Sequence, residues 1–273
     1  MRLFFAEWAD ENEELVDLVE DLKEKGHEIV YWIRDNGSLK VDKARFPGTI
    51  FHDYRDAVAA RPARGIDDSQ FPPLSECLIK SMRDCESDIL IMMNKKYEWL
   101  ILNERKRLYY RFLRYWDEII RKYKPELIIF PLAPHVLYDF VIYKLAGLYQ
   151  IPTALFNASI INSRLLINDK YELGCKAMME KMLILKNKQI SLVDLSVEMR
   201  DYFLLHTSGQ TDTPPEYLLK NINEYSSFPN FLRIKSRMAW TGLKDMTFIV
   251  KTLNYVIKKM RHNLRDEYER VEF

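Results

Sequence analysis

The chain of 273 residues carries 41 Lys and Arg against 40 Asp and Glu, and the formal net charge of +1 argues against nucleic acid as a partner. Hydrophobic residues make up 48% and charged residues 30%, with only eight glycines, which argues against a disordered or linker-dominated chain. The three scattered cysteines, Cys77, Cys85 and Cys175, form no CxxC pair, so they indicate a reducing compartment rather than a disulfide framework or a structural zinc site.

A strand, a turn, a helix and a second strand open the chain. Residues 2–8, RLFFAEW, predict a buried strand, and Asp10 is placed to cap the helix that follows. Apolar residues recur at helical spacing until Gly26 ends the helix, and residues 27–33 predict the second strand. Because a strand follows Met1 at once, we expect no signal peptide.

This first unit has the outline of a Rossmann unit without its phosphate-binding fingerprint. Residues 8–13 read WADENE, where a dinucleotide-binding turn would read GxGxxG. Acidic side chains at a helix start repel a pyrophosphate, so classical NAD or FAD binding is disfavoured and we expect no cofactor. No metal is expected either.

The region up to residue 123 predicts one more strand and then helices. Residues 49–54 form the strand candidate, residues 58–73 read as a loop, and residues 74–93 as a helix. Residues 97–123 predict a strong amphipathic helix. The basic cluster over residues 105–114 is interpreted as a solvated face, with contact to phosphates or anionic lipid heads as the alternative.

The clearest unit is a βαβ pattern over residues 124–156, KPELIIFPLAPHVLYDFVIYKLAGLYQIPTALF. Residues 127–130 are an uninterrupted apolar run, typical of a strand that is buried on both faces. Prolines end this run, and His135 stands where the next helix would start. Residues 153–156 are again strand-like.

The last third of the chain predicts mainly helices. Residues 160–169 read as a loop or a short hairpin, and residues 175–185 and 192–205 as helices. Residues 231–273 predict one or two helices that are rich in Lys and Arg.

Together these units predict an α/β fold: a Rossmann-like parallel sheet flanked by helices over residues 1–172. A mainly helical extension over residues 173–273 would pack on it or lead to a further domain. The expected strand order is 3-2-1-4-5, which places the first strand beside the strand at 127–130. A sheet of this kind opens a crevice at the carboxyl ends of those two strands. The sequence therefore predicts a cleft between the turn after the first strand and the turn at 131–135.

Polar and aromatic side chains gather at this predicted cleft. A carboxylate, an imidazole, an indole, and amide and hydroxyl groups suit a polyol ligand, because aromatic rings stack on sugar faces and polar groups bind hydroxyls. The candidate residues are Glu7, Trp8, Asp10, Pro134, His135, Tyr138, Asp139, Asn157, Ser159 and Arg164.

Simpler roles stay open for four of these residues. His135 could cap its helix, and Glu7 could pair with a neighbouring basic side chain. Asp10 is more readily a helix cap than a catalyst. Asp139 lies one helical turn after His135 and could orient its imidazole, which is also how a general base is tuned.

Two stretches carry a resemblance to a known family. They are WADENEELVDLVEDLKEKGHEIVYWI and PELIIFPLAPHVLYDFVIYKLAGLYQIPTALFNASIINSRLLINDKYE, and the most specific part is FP-x-APH-x-x-x-D. Over about residues 1–172 the chain resembles the capsule or surface polysaccharide biosynthesis proteins related to GT-B glycosyltransferases.

The resemblance implies two Rossmann-like domains that face a cleft, with the acceptor on the N-terminal domain and the nucleotide sugar on the C-terminal one. Since this sequence holds one set of Rossmann-type units, it implies either an N-terminal portion of a longer protein, which needs a C-terminal domain for activity, or a single-domain relative. The implied reaction transfers a sugar from a nucleotide sugar to a saccharide or lipid-linked acceptor. We expect a cytoplasmic setting, at the inner face of the membrane if the chain makes peripheral membrane contact, and a homo-oligomer is a further possible partner.

In this scheme His135 or Glu7 is the general base, Asp139 orients His135, and Asn157, Ser159 and Arg164 bind substrate. Helix dipoles and basic groups would stabilise the negative charge of the diphosphate, so the scheme needs no metal. The alternative is a non-catalytic, Rossmann-like binding or assembly module that docks partners through residues 231–265.

Overall fold

The computed structural model describes residues 1–8, 13–34, 41–159 and 165–208. The chain divides into two compact units, residues 1–189 and residues 190–273. The predictions for Asp10, for Arg164 and for the helices at 231–273 lie outside the described residues.

Six strands of the described part form one sheet in the order β3-β2-β1-β4-β5-β6. The first five strands pair in parallel, and β6 pairs antiparallel to β5. This confirms the predicted fold class and the predicted order 3-2-1-4-5, and the antiparallel pairing of residues 165–168 agrees with the hairpin alternative for that part of the chain. The strands are β1 (Arg2–Phe5), β2 (Glu28–Arg34), β3 (Ile50–Asp53), β4 (Leu127–Phe130), β5 (Thr153–Ala158) and β6 (Leu165–Asn168).

Seven described helices belong to the unit of residues 1–189 and one to the other unit. No helix of the described residues combines the length and the hydrophobicity that a bilayer crossing requires. The helices are α1 (Glu13–Glu24), α2 (Tyr54–Val58), α3 (Glu76–Ser81), α4 (Arg83–Lys96), α5 (Leu102–Tyr123), α6 (Leu137–Leu148), α7 (Lys176–Leu185) and α8 (Val197–Thr207). Single 3₁₀ turns lie at Lys43–Arg45, Asp68–Gln70 and Leu192–Asp194.

The sheet separates two hydrophobic cores. Side chains alternate across each strand, so Phe4 in β1 and Ile128 in β4 face the larger core, while Phe5 and Ile129 face the smaller one. The larger core lies under α2 to α6, and the smaller one packs against α1. Both faces of β1 and β4 are thereby covered, as their uninterrupted apolar sequence predicts.

Several element boundaries differ from the sequence prediction, among them the following three. The helix expected over 74–93 is two helices, because the chain turns at Met82, whose φ of −105° and ψ of 18° depart from helical values. The helix expected from 97 begins at Leu102, where the Glu104 carboxylate accepts a hydrogen bond from the backbone N–H of Ile101. The first strand ends at Phe5 instead of residue 8, because Glu7 has a φ of +64°.

A buried polar chain fixes the loop after α2 to the sheet. Nε2 of His52 lies 3.0 Å from the carbonyl of Arg61, and Nδ1 lies 2.8 Å from the Tyr31 hydroxyl. Since a carbonyl only accepts, Nε2 carries the proton and Nδ1 accepts from Tyr31. The Tyr31 and Tyr115 hydroxyl oxygens are 2.9 Å apart, and Tyr115 also accepts from the N–H of Ala63. Both ring nitrogens of neutral His52 therefore have a hydrogen-bond partner. Protonation at Nδ1 would remove the lone pair that accepts from the Tyr31 hydroxyl.

We expect His52 to make the fold sensitive to acid. Burial lowers the pKa of His52 from its ordinary value of 6.5 to about 4. The unfolded chain therefore binds this proton first, and stability falls as pH drops from 6.5 to about 4, by about 3 kcal/mol for this residue. Urea unfolding across this range, compared with His52→Gln, isolates the effect. Equal pH slopes in the two proteins would contradict it.

Candidate functional site

The candidate site lies at the carboxyl edge of the sheet, where β1 and β4 end side by side. The N–H of Ala6 donates to the carbonyl of Ile129 at 2.9 Å, which holds the chain after β1 against β4. This is the position at which the strand order reverses, and open α/β sheets bind their ligands there.

Glu7 follows β1 directly and has a left-handed backbone, with φ of +64°. This conformation costs a non-glycine residue about 1 kcal/mol or more, and such residues cluster at functional sites. The Tyr138 hydroxyl donates to Glu7 Oε2 at 3.1 Å, so the carboxylate is tied to α6 across the crevice. Partial burial raises the pKa of Glu7, while the Tyr138 hydrogen bond and the nearby His135 act to lower it.

Asp139 is buried and holds the start of α6. Its two carboxylate oxygens accept from the backbone N–H groups of His135, at 3.1 Å, and Val136, at 2.9 Å. Burial raises the pKa of Asp139 to about 8, and the charge of Glu7 adds to this, against the backbone hydrogen bonds that lower it. The buried carboxyl of Asp139 is therefore harder to ionise than that of an exposed aspartate.

His135 presents its ring to solvent, with 57% of the side chain exposed. Its Nδ1 lies 3.2 Å from the carbonyl of Ala133 and 3.9 Å from Oδ2 of Asp139. The carbonyl accepts, so Nδ1 carries the hydrogen in the neutral ring and Nε2 is left with a lone pair. Asp139, and not the side chain of His135, therefore caps this helix, since it accepts from the backbone N–H of His135. The imidazole ring of His135 contacts the carbonyl of Ala133 instead.

Asn157 joins the end of β5 to the same turn. Its Oδ1 accepts from the N–H of Ala133 at 3.2 Å, which positions the segment that contains Pro134 and His135. Ser159 follows β5 and is half-buried. These contacts bring five predicted residues, namely Glu7, His135, Tyr138, Asp139 and Asn157, into one connected arrangement.

Trp8 lies below the crevice, in the smaller core. Its Nε1 donates to the carbonyl of Leu15 at 3.2 Å, and its ring meets Phe5 and Phe156 edge-on at 5.4 and 5.6 Å. The indole is 5% exposed, so its faces are occupied by protein. Its burial argues for a packing role, and we do not assign it the predicted sugar-stacking role.

A cavity beside His135 contains residues that the sequence prediction missed. Tyr54, Val58, Met92, Lys95 and Tyr97 line it together with the start of α6. Tyr54 had a visible signal, because it follows β3 and the carboxyl ends of parallel strands share one edge. Met92 and Lys95 are in the last turn of α4 and had none, since only tertiary packing brings this turn to α6.

We expect Tyr138→Phe to raise the pKa of Glu7. The variant keeps the buried ring but removes the hydroxyl that stabilises the charged carboxylate, while the burial that disfavours the charge stays. A carbon-13 NMR titration of the Glu7 carboxyl measures the change. Tyr143→Phe, which removes a similar hydroxyl-to-carboxylate bond at Glu172, is the matched control. An unchanged Glu7 titration in Tyr138→Phe would refute the contact.

Chemically, the arrangement offers a proton acceptor next to an anion. Nε2 of His135 can take a proton from a ligand hydroxyl. His135 is also close enough to Glu7 for its charge to act to lower the pKa of the Glu7 carboxyl. Among the described residues no group of three or more His, Cys, Asp or Glu side chains is placed to hold a metal ion.

No protein-family model and no curated protein sequence matches this chain. Among solved structures, a calicheamicin glycosyltransferase aligns with 78% of this chain and 43% of its own, at 17% identity and a TM-score of 0.29. The chain thus spans less than half of that protein's length, and a likeness this weak adds nothing to the geometry of the site.

Proposed function

We propose that this chain is the acceptor-side domain of a glycosyltransferase, which moves a sugar from a nucleotide sugar to a saccharide or lipid-linked acceptor. The observation that supports it is the carboxylate of Glu7, held by Tyr138 across the crevice beside the exposed imidazole of His135. We place the reaction in the synthesis of a capsular or surface polysaccharide, in the cytoplasm, on the resemblance to that family.

In the proposed reaction His135 is the general base. Its Nε2 takes the proton of the acceptor hydroxyl while the oxygen forms a bond to the anomeric carbon, whose bond to the nucleotide diphosphate breaks. Glu7 stabilises the imidazolium that results. Asp139 and the carbonyl of Ala133 keep the ring in place, since they hold its backbone N–H and its Nδ1. The donor sugar would be held by a further domain.

Glu7→Gln tests the proposal, because glutamine keeps an oxygen for the Tyr138 hydroxyl and removes the negative charge. We expect kcat for transfer to fall by at least about tenfold in the full-length protein, with little change in the KM of the acceptor. Transfer from a panel of nucleotide sugars, followed as release of the nucleotide, is the measurement. Wild-type turnover in Glu7→Gln would show that the charge of Glu7 has no role in the reaction.

A second candidate function, the non-catalytic assembly module, is favoured by α7. Apolar side chains of this helix are exposed, among them Leu183 at 70% and Ile184 at 68%. Exposed apolar patches of this kind mark interaction surfaces. Thermal-shift measurements against nucleotide sugars and oligosaccharides separate the two functions: no shift, together with stable self-association, would favour the assembly module.

A further inference from the structure

The cavity beside His135 has a volume of about 310 Å³, at the lower end of the range for small-molecule sites of about 300–1,000 Å³. Its wall comes from three places along the chain: α2 with Tyr54 and Val58, the end of α4 with Met92, and the start of α6. His135 also lines it, so the residue assigned above as the base borders the cavity.

The wall of this cavity suits a flat apolar group better than a bare sugar. Val58, Met92, Val136 and Leu137 have apolar side chains, and the Tyr97 hydroxyl already donates to the carbonyl of Val58 at 3.3 Å. The ring of Tyr54 packs edge-on against Tyr138, with ring centroids 6.0 Å apart. A saccharide placed here would set some of its hydroxyl groups against apolar side chains, which costs free energy, whereas a ring system would replace water on apolar surface.

The described lining of the cavity contains one permanently charged side chain. Among the described lining residues Lys95 alone is a lysine or arginine, and it is exposed. An ammonium at the mouth of an apolar cavity favours a ligand whose apolar part carries an anionic group.

We infer that the saccharide or lipid-linked acceptor carries an aromatic or similarly flat apolar group with an anionic substituent, which places its ring in this cavity, its anion at Lys95 and its reacting hydroxyl at His135. The inference rests on the proposed function for the role of the hydroxyl. The cavity and its charge stand apart from that role, so binding can be tested without transfer.

Calorimetric binding of three probes to the full chain tests the inference. The probes are 4-hydroxyphenylacetate, its neutral analogue 2-(4-hydroxyphenyl)ethanol, and methyl β-glucoside. We expect the anionic aryl probe to bind most tightly and the glucoside most weakly. Lys95→Met should weaken the anionic probe by roughly two- to fivefold and leave the neutral one unchanged. Lys25→Met, an exposed lysine at the end of α1, is the matched control and should change neither.

Filling the cavity should abolish the preference for aryl probes. Val58→Phe is expected to weaken both aryl probes by at least about tenfold. Met92→Phe fills the same space from α4, which keeps the test valid if one of the two variants does not fold. Equal binding of glucoside and aryl probes, or unchanged aryl binding in a folded cavity-filled variant, overturns the inference. Equal binding of the two aryl probes overturns the role of Lys95.

Binding and transfer measurements together distinguish a failure of the proposed function from a failure of the cavity assignment. Aryl binding without any sugar transfer contradicts the proposed function and leaves the cavity assignment intact. Transfer to a saccharide hydroxyl with no aryl binding contradicts the cavity assignment and leaves the proposed function intact.

Discussion

Replacing His135 by alanine should lower the rate of glycosyl transfer by about 10²–10⁴-fold and change the free energy of unfolding by less than about 0.5 kcal/mol. The large effect follows from the loss of Nε2 and its lone pair. The Ala133 carbonyl and Asp139 both lie near the other ring nitrogen, Nδ1. The small effect follows from exposure, because 57% of the side chain is in contact with solvent. Single-turnover transfer and urea unfolding measure the two quantities.

His206→Ala is the matched control for this variant. His206 is also exposed, at the end of α8, and its Nδ1 lies 2.9 Å from the carbonyl of Tyr202, so the same type of ring contact is removed. Transfer should be unaffected by the control. Near-normal transfer in His135→Ala would sink its assignment as the base.

Replacing Trp116 by alanine should cost about 3–5 kcal/mol of stability. Trp116 in α5 is fully buried, and its ring stands at the centre of the larger core. It contacts Tyr115 edge-on at 4.8 Å and Tyr138 at 5.9 Å, so it supports both the buried polar chain of His52 and the tyrosine that holds Glu7. A cavity of indole size would loosen both.

Denaturant unfolding measures the loss, and two variants sharpen it. Trp116→Phe keeps an aromatic ring and should cost clearly less than alanine. Trp99→Ala, at a half-buried position before α5, should cost less still. The same series predicts a ranking in transfer, because Tyr138 loses its support in step with the core. A loss below about 1 kcal/mol in Trp116→Ala would contradict the central place of this ring.

The sequence predicts the sheet well because burial on both faces gives an unambiguous pattern. The apolar run at 127–130 coincides with β4 (Leu127–Phe130), and the strand order follows from the handedness of parallel connections. The register of β1 against β4 then places Glu7 and His135 at one edge without any side-chain information. This is why most of the cleft can be predicted from chain order alone.

The rest of the site depends on packing that no short pattern contains. The sequence places Trp8 among the cleft residues at a strand end, but its indole N–H donates to the carbonyl of Leu15 in α1. The cavity beside His135 needs the last turn of α4 to reach the start of α6, two segments that are far apart in the sequence. The left-handed backbone of Glu7 is also invisible in the sequence, because a glutamate carries no preference for it.

The antiparallel return of the chain at β6 shows which edge of the sheet lies away from the crevice. β5 runs toward the crevice and β6 returns, and the side chain of Thr153, at the start of β5, donates to the carbonyl of Asp169 after the return. Met1 lies at that same edge of the sheet, since its carbonyl accepts from the N–H of Glu28 at the start of β2. A label or a surface linkage attached to a side chain at this edge is therefore separated from Glu7 by the length of a strand. Immobilised protein should keep its crevice open to a ligand in solution.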